Sequence, residues 1–193
     1  MTLTSLRRVI SSLCTLTMSI IIASFCLPAQ AVELDGAQVA ATFQVGAKTL
    51  HLNGYGIRTW SILGIHIYLA SLSLEHLSTD PNEIIQSRET KLLSVRFEHA
   101  VSADQSRNAW RTALVNNCVA PCHLDPQDVE RFLAQVPAMT PGEYFYLIFS
   151  KNTATVSANG QQIDVISRYC LRVSRQVGST GKVLKLLSFG AIT

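Results

Sequence analysis

This sequence predicts an α+β domain, an antiparallel sheet with helices layered on it. Three observations predict it. Much of residues 39–97 alternates apolar and polar side chains with period two, which marks strands. Residues 102–136 change to helical spacing behind two N-cap signatures. Strand patterning then returns after Pro141 and Gly142, and Asn159 and Gly160 supply a hairpin turn because both favour positive φ.

The N-terminus reads as a secretory signal. Arg7 and Arg8 open it, no charge follows until Glu33, and the stretch between carries Val9, Ile10, Leu13, Leu16, Ile20, Ile21 and Ile22. Ala29 and Ala31 flank Gln30 as the small residues a signal peptidase reads. An uncleaved membrane anchor is the competing reading, since the uncharged stretch is long enough to cross a bilayer. Ser, Thr and Cys dilute it, and cleavage after Ala31 is the expectation. Phe25 is too bulky for the position before a lipoprotein cysteine, Cys26, and the arginine pair lacks twin-arginine flanks. The expected mature domain is 32–193, periplasmic or secreted.

Within it, Val39 to Val45 is a strand candidate, followed by a turn at Gly46 and Ala47. Lys48 to Asn53 alternates, Gly54 and Gly56 bracket Tyr55 as a turn, and Ile57 to Ile62 resumes the strand. After Gly64, Ile65 to Leu74 is a long strand with His66, Tyr68, Ala70, Leu72 and Leu74 on one face. Asp80, Pro81 and Asn82 mark a turn or a short helix start, and Lys91 to Phe97 is another strand.

Ser102 and Gln105 have capping-box spacing, and Ala109, Trp110, Ala113 and Leu114 then repeat along one helix face. Asp125 and Pro126 start a second helix, with Val129, Phe132, Leu133 and Val136 as its buried stripe. Tyr144 to Phe149 and Thr153 to Ser157 are strands. A third helix is expected from about Val165 to Val177, ending at Gly178, and a short one from Lys182 to Leu187.

Removing residues 1–31 takes both signal arginines and leaves 14 basic against 13 acidic residues. So balanced a charge offers no general attraction for nucleic acid, which needs clustered basic side chains. No phosphate loop, zinc motif or Ser/His/Asp arrangement is present, and no cofactor is implied.

Three cysteines remain: Cys118, Cys122 and Cys170. In an oxidising compartment two should pair. A Cys118–Cys122 disulfide stapling the end of the preceding helix is the expectation, with Cys118–Cys170 as the alternative. Haem attachment needs C-x-x-C-H, and Cys118, Cys122 and His123 are spaced one residue too far. Zinc would need a fourth ligand from elsewhere, so no metal is expected.

Gly54, Gly56 and Arg58, followed by Ile65, Ile67, Tyr68, Ala70 and Leu72, make the sequence resemble the exported bacterial members of the chalcone isomerase-like family. The likeness extends in order over residues 35 to 188. It implies an open-faced β-sandwich, a large antiparallel sheet backed by a layer of helices and enclosing a cleft. In plant chalcone isomerases the cleft cyclises a chalcone to a flavanone. An arginine there polarises the substrate, and a tyrosine and an asparagine assist through water. Related plant proteins without that activity bind fatty acids, with the arginine taking the carboxylate.

Arg58 fits the arginine position. Leu63 stands where the enzymes have a threonine, Ser73 replaces a tyrosine of the bacterial pattern, and His66 replaces its lysine. The helix from Ser102 to Arg111 has no tyrosine at all. These departures remove most of the acid–base apparatus.

The expected ligand-binding residues are therefore Arg58, Tyr68 and His66. Arg58 would hold an acid group in a bidentate fork. Tyr68 would donate its hydroxyl, and His66 could titrate near neutrality. The expected role is non-catalytic binding of a small apolar acid such as a fatty acid. One alternative is an intramolecular lyase acting on an enone. Another is a partner protein using Arg168, Arg172 and Arg175, one basic stripe at helical spacing that could also meet an anionic membrane surface.

Overall fold

A computed structural model describes residues 31–34, 36–60, 64–118, 120 and 122–167. Seven strands form one antiparallel meander: β3 (Thr42–Val45), β4 (Lys48–Trp60), β5 (Ile65–Leu74), β6 (Lys91–Phe97), β7 (Tyr144–Phe149), β8 (Thr153–Ala158) and β9 (Gln161–Ser167). Each strand pairs with its sequence neighbour, so the sheet order is the chain order. A separate hairpin, β1 (Ala31–Leu34) and β2 (Ala37–Ala40), precedes it. Helix α1 (Pro81–Gln86) interrupts the meander after β5, and α2 (Ala103–Asn117) and α3 (Pro126–Gln135) interrupt it after β6.

The caps form as their residue types dictate. Asp80 Oδ1 accepts from Asn82 N–H at 2.8 Å to start α1. At α2, Ser102 Oγ accepts from Gln105 N–H at 3.2 Å while Gln105 Oε1 accepts from Ser102 N–H at 3.0 Å. Asp125 Oδ1 accepts from Gln127 N–H at 2.7 Å, with Pro126 opening α3 where its missing donor is harmless. Asn159 and Gly160 take φ of +49° and +82° between β8 and β9. Asn159 Oδ1 also accepts from Tyr144 N–H at 2.9 Å, which pins the hairpin to the start of β7.

Strand register decides which residues meet. Directly opposed residues in antiparallel strands share a face, so Tyr68, Phe97 and Arg58 lie on one side, in line with Ala70, Val95, Phe145 and Ala158 in the next row. Helices α2 and α3 cover this side. Trp110, Ala113 and Leu114 of α2 and Phe132 and Leu133 of α3 join Leu72, Leu93, Leu147 and Val156 in one buried core. Burial of each large side chain there contributes roughly 1.5–3 kcal/mol. Aromatic edges link the layers: Trp110 meets Phe132 at 5.1 Å and Phe145 at 5.8 Å between ring centroids. On the opposite side, Val39 of β2 packs on Leu69 beside Leu52, Tyr55 and Ile57.

An ion pair ties β4 to the end of β5. Lys48 Nζ lies 2.5 Å from Glu75 Oε1, which also accepts from Thr90 N–H at 2.5 Å. These contacts, the lysine hydrogen bond foremost, hold the Glu75 carboxyl down at about 2.

The architecture is the α+β arrangement expected, with three local corrections. Gly54 and Gly56 make no turn: both lie inside β4, paired with Leu72 and Ala70, and only a register shift marks the stretch between Leu52 and Gly54. Glycine permits a turn without requiring one, and the long partner β5 keeps the ladder going. Val39 to Val45 divides between β2 and β3 at Ala41. Val165 begins no helix, since residues 165–167 complete β9 opposite Thr153, Ala154 and Thr155. The Asn159–Gly160 hairpin carries the pairing past the point where the helical pattern was read. Residues 1–30 of the expected signal segment 1–31, the rest of the expected third helix, Lys182 to Leu187, Cys170 and the arginine stripe lie outside the described residues.

Candidate functional site

Arg58 is two residues from the end of β4, and β4–β5 pairing sets it directly against Tyr68. Arg58 is half-buried, and among the described residues no carboxylate lies within ion-pair distance of it. Tyr68 is only 7 % exposed. Burial pushes its phenol up to about 12, while the neighbouring Arg58 charge pulls the other way. The two side chains therefore act on each other electrostatically.

Tyr68 lines a small, partly open cavity between the sheet and α2. Its walls are Phe97 and Phe145 from the sheet, Val101 from the connection, and Ser106, Ala109 and Trp110 from the helix. The cavity measures about 20 Å³. Such a space suits a single small group, whereas pockets for organic ligands measure about 300–1,000 Å³. Phe97 fixes the Tyr68 ring through an edge contact at 6.1 Å and meets Phe145 at 5.7 Å.

His66 does not join this pair. It is exposed and opposes Thr59, and a register shift between Arg58 and Thr59 separates it from Tyr68. The extra residue, Ile67, is buried and takes up the irregularity. Alternation along β5 alone put His66 and Tyr68 on one face, because a bulge leaves no mark in the pattern. Ser73, the substitute for a family tyrosine, is buried on the side away from α2 and α3, opposite Leu52 and Leu92. Leu63 lies outside the described residues.

The structure joins Cys118 to Cys122 in a disulfide. Cys118 is the C-cap of α2, so the bond clips the end of this helix to the loop leading into α3. With both sulfurs bonded to each other, neither is a thiolate ligand beside His123. Among the described residues no group of three His, Cys, Asp or Glu side chains converges as a metal site.

Ser106, which sequence reading passed over, borders the small cavity beside Tyr68. It stands three and four residues before Ala109 and Trp110, so it is the first position of the α2 stripe. A serine at the head of an otherwise apolar stripe was the available signal.

A protein-family model described as chalcone isomerase-like matches residues 31–170. No curated protein matches the chain. Among solved structures, the crystal structure of an Arabidopsis thaliana fatty-acid binding protein is similar, with a TM-score of 0.59 and 13 % sequence identity. The likeness covers 73 % of this chain and 84 % of that one. At that identity, what the two share is the fold.

Proposed function

Since the chain belongs to the chalcone isomerase-like family, we propose that it is a non-catalytic binding protein for a small apolar acid, such as a fatty acid. Arg58 takes the carboxylate and Tyr68 hydrogen-bonds it. The carrying observation is Arg58 itself: a half-buried cation against Tyr68 with no carboxylate partner among the described residues. A buried or half-buried charge is stabilised by a counter-charge, and a ligand acid supplies one with two parallel hydrogen bonds. The fatty-acid binding function of the structurally similar plant protein is consistent with this reading.

Binding is favoured over turnover by the cavity lining. Tyr68 is the one ionisable group among its lining residues, and a phenol near 12 is a poor proton donor or acceptor at neutral pH. The cavity of about 20 Å³ beside Tyr68 is too small for an acyl chain, so this reading requires α2 and the sheet to part on binding. Residues 1–31 direct export, and the domain from residue 32 works in the periplasm or outside the cell.

The test is displacement of a fluorescent fatty acid by palmitate. Loss of a charge-assisted hydrogen-bond pair in Arg58→Ala should weaken palmitate about 10- to 150-fold. Equal affinity in the variant would exclude Arg58 as the anchor.

A further inference from the structure

Helix α3 and strand β9 border a groove of about 180 Å³ at one edge of the sheet. Its floor is apolar: Leu114 of α2 and Phe132 of α3 are buried there, and Val129 and Ile166 are half-buried on its walls. Its rim is acidic, with Asp125 and Asp128 on the helix side and Asp164 on the strand side. His123 and Arg131 also line it, and Arg131 already pairs with Asp128 at 2.6 Å. Asp125 and Asp164 accept backbone N–H groups, of Gln127 and Val165, both at 2.7 Å. Among the described residues no basic side chain pairs with either carboxylate, although Asp164 is half-buried.

The groove lies where the chain leaves the sheet. Strand β9 is the last strand, and its outer edge has no strand partner among the described residues. Such edges are ordinarily covered or blunted, because their free N–H and C=O groups attract other chains. Residues 168–193 follow directly, with five basic side chains, Arg168, Arg172, Arg175, Lys182 and Lys185, and no acidic one. Residues 32–167 carry nine basic against 13 acidic side chains. Charge is thus divided along the chain, acid before Ser167 and base after it. Tyr169, Val173 and Val177 recur four apart among the arginines, an apolar stripe to match an apolar floor.

We propose that residues 168–193 dock in this groove, with Tyr169, Val173 and Val177 on its apolar floor and the arginine stripe against Asp164, Asp125 and Asp128. Attachment through Ser167 makes the contact intramolecular, at an effective concentration on the order of millimolar, so a weak interaction suffices. The docked segment covers the free edge of β9 and ties it to α3. Arg168, Arg172 and Arg175 are then engaged within the chain and do not serve a partner protein or a membrane surface. This inference is independent of the acid-binding reading.

Hydrogen exchange of the intact protein, followed over residues 168–177, tests it. In wild type these amides should exchange at least about 10-fold more slowly than in a free peptide of the same sequence. Asp164→Arg, and separately Arg172→Glu with Arg175→Glu, should each speed that exchange about 2- to 5-fold, the range for an exposed ion pair. Combining all three substitutions restores opposite charges and should return exchange to within about 2-fold of wild type. Protection of β7 and β8 in the same experiment shows that each variant is folded, and Asp164→Asn gives the effect of losing the charge without reversing it.

Wild-type amides at 168–177 that exchange as fast as the free peptide would overturn the proposal. So would protection that Asp164→Arg and Asp164→Asn leave unchanged, since the segment would then dock elsewhere. Protection that rises with protein concentration would make a second copy the occupant, and protection gained only on phosphatidylcholine vesicles containing phosphatidylglycerol would make it a membrane. Either result would also overturn it.

Discussion

The electrostatics of the Arg58–Tyr68 pair can be measured without any ligand. Tyr68 titrates at about 12 in the fold and at 10.0 as an unperturbed phenol. For an acid that is neutral when protonated, a raised folded value means that the unfolded chain releases its proton first. The stabilisation is therefore whole below pH 10 and is lost as pH rises through 10 toward 12. Linkage gives a loss of roughly 1 kcal/mol by pH 11, rising to roughly 2 kcal/mol at pH 12.

Against a typical stability of about 5–15 kcal/mol that loss is readily resolved. Urea unfolding of wild type and Tyr68→Phe at pH 9 and pH 11 isolates it, since other titrating groups affect both proteins alike. Wild type should lose roughly 1 kcal/mol more than the variant over this interval. In Arg58→Ala the opposing charge is gone, and ultraviolet titration should find the Tyr68 phenolate appearing at still higher pH. Parallel losses in wild type and Tyr68→Phe would refute the burial argument. An unmoved Tyr68 titration in Arg58→Ala would refute the pairing of the two side chains.

Two further outcomes follow from the core and the β4–β5 junction. Trp110 is fully buried between Phe132 and Phe145, so Trp110→Ala should cost about 3–5 kcal/mol in urea unfolding, near the cost of a large aromatic deletion. A loss below about 1 kcal/mol would mean that α2 is not packed on the sheet as described. Glu75 has a depressed carboxyl, whose stabilising effect is present above about 4.5 and is lost as pH falls toward about 2. Glu75→Gln should therefore flatten the acid limb of the stability profile below pH 4.5, and an unchanged limb would count against the Lys48 and Thr90 contacts.

Local chemistry made much of this fold readable. The capping box at Ser102, the Asp125–Pro126 start and the Asn159–Gly160 turn depend on side chains a few residues apart, so their meaning is carried within short windows. Period-two patterning located β5 for the same reason, since it too is read within a short window.

Long-range register was not readable. Whether Gly54 and Gly56 bend the chain or continue a strand depends on the length of β5 beside them. Val165 stands at the start of the expected third helix, while pairing with β8 holds it in β9.

The candidate site divides in the same way. Sequence by itself determined that Arg58 and Tyr68 were worth attention, through residue type and resemblance. Tertiary structure decided that they face each other, that the bulge beside Ile67 separates His66 from them, and that α2 packs over the sheet beside Tyr68. The physical reason is that pairing register and helix docking are set by contacts between residues tens of positions apart. A single side chain's identity does not encode which neighbour those contacts will bring.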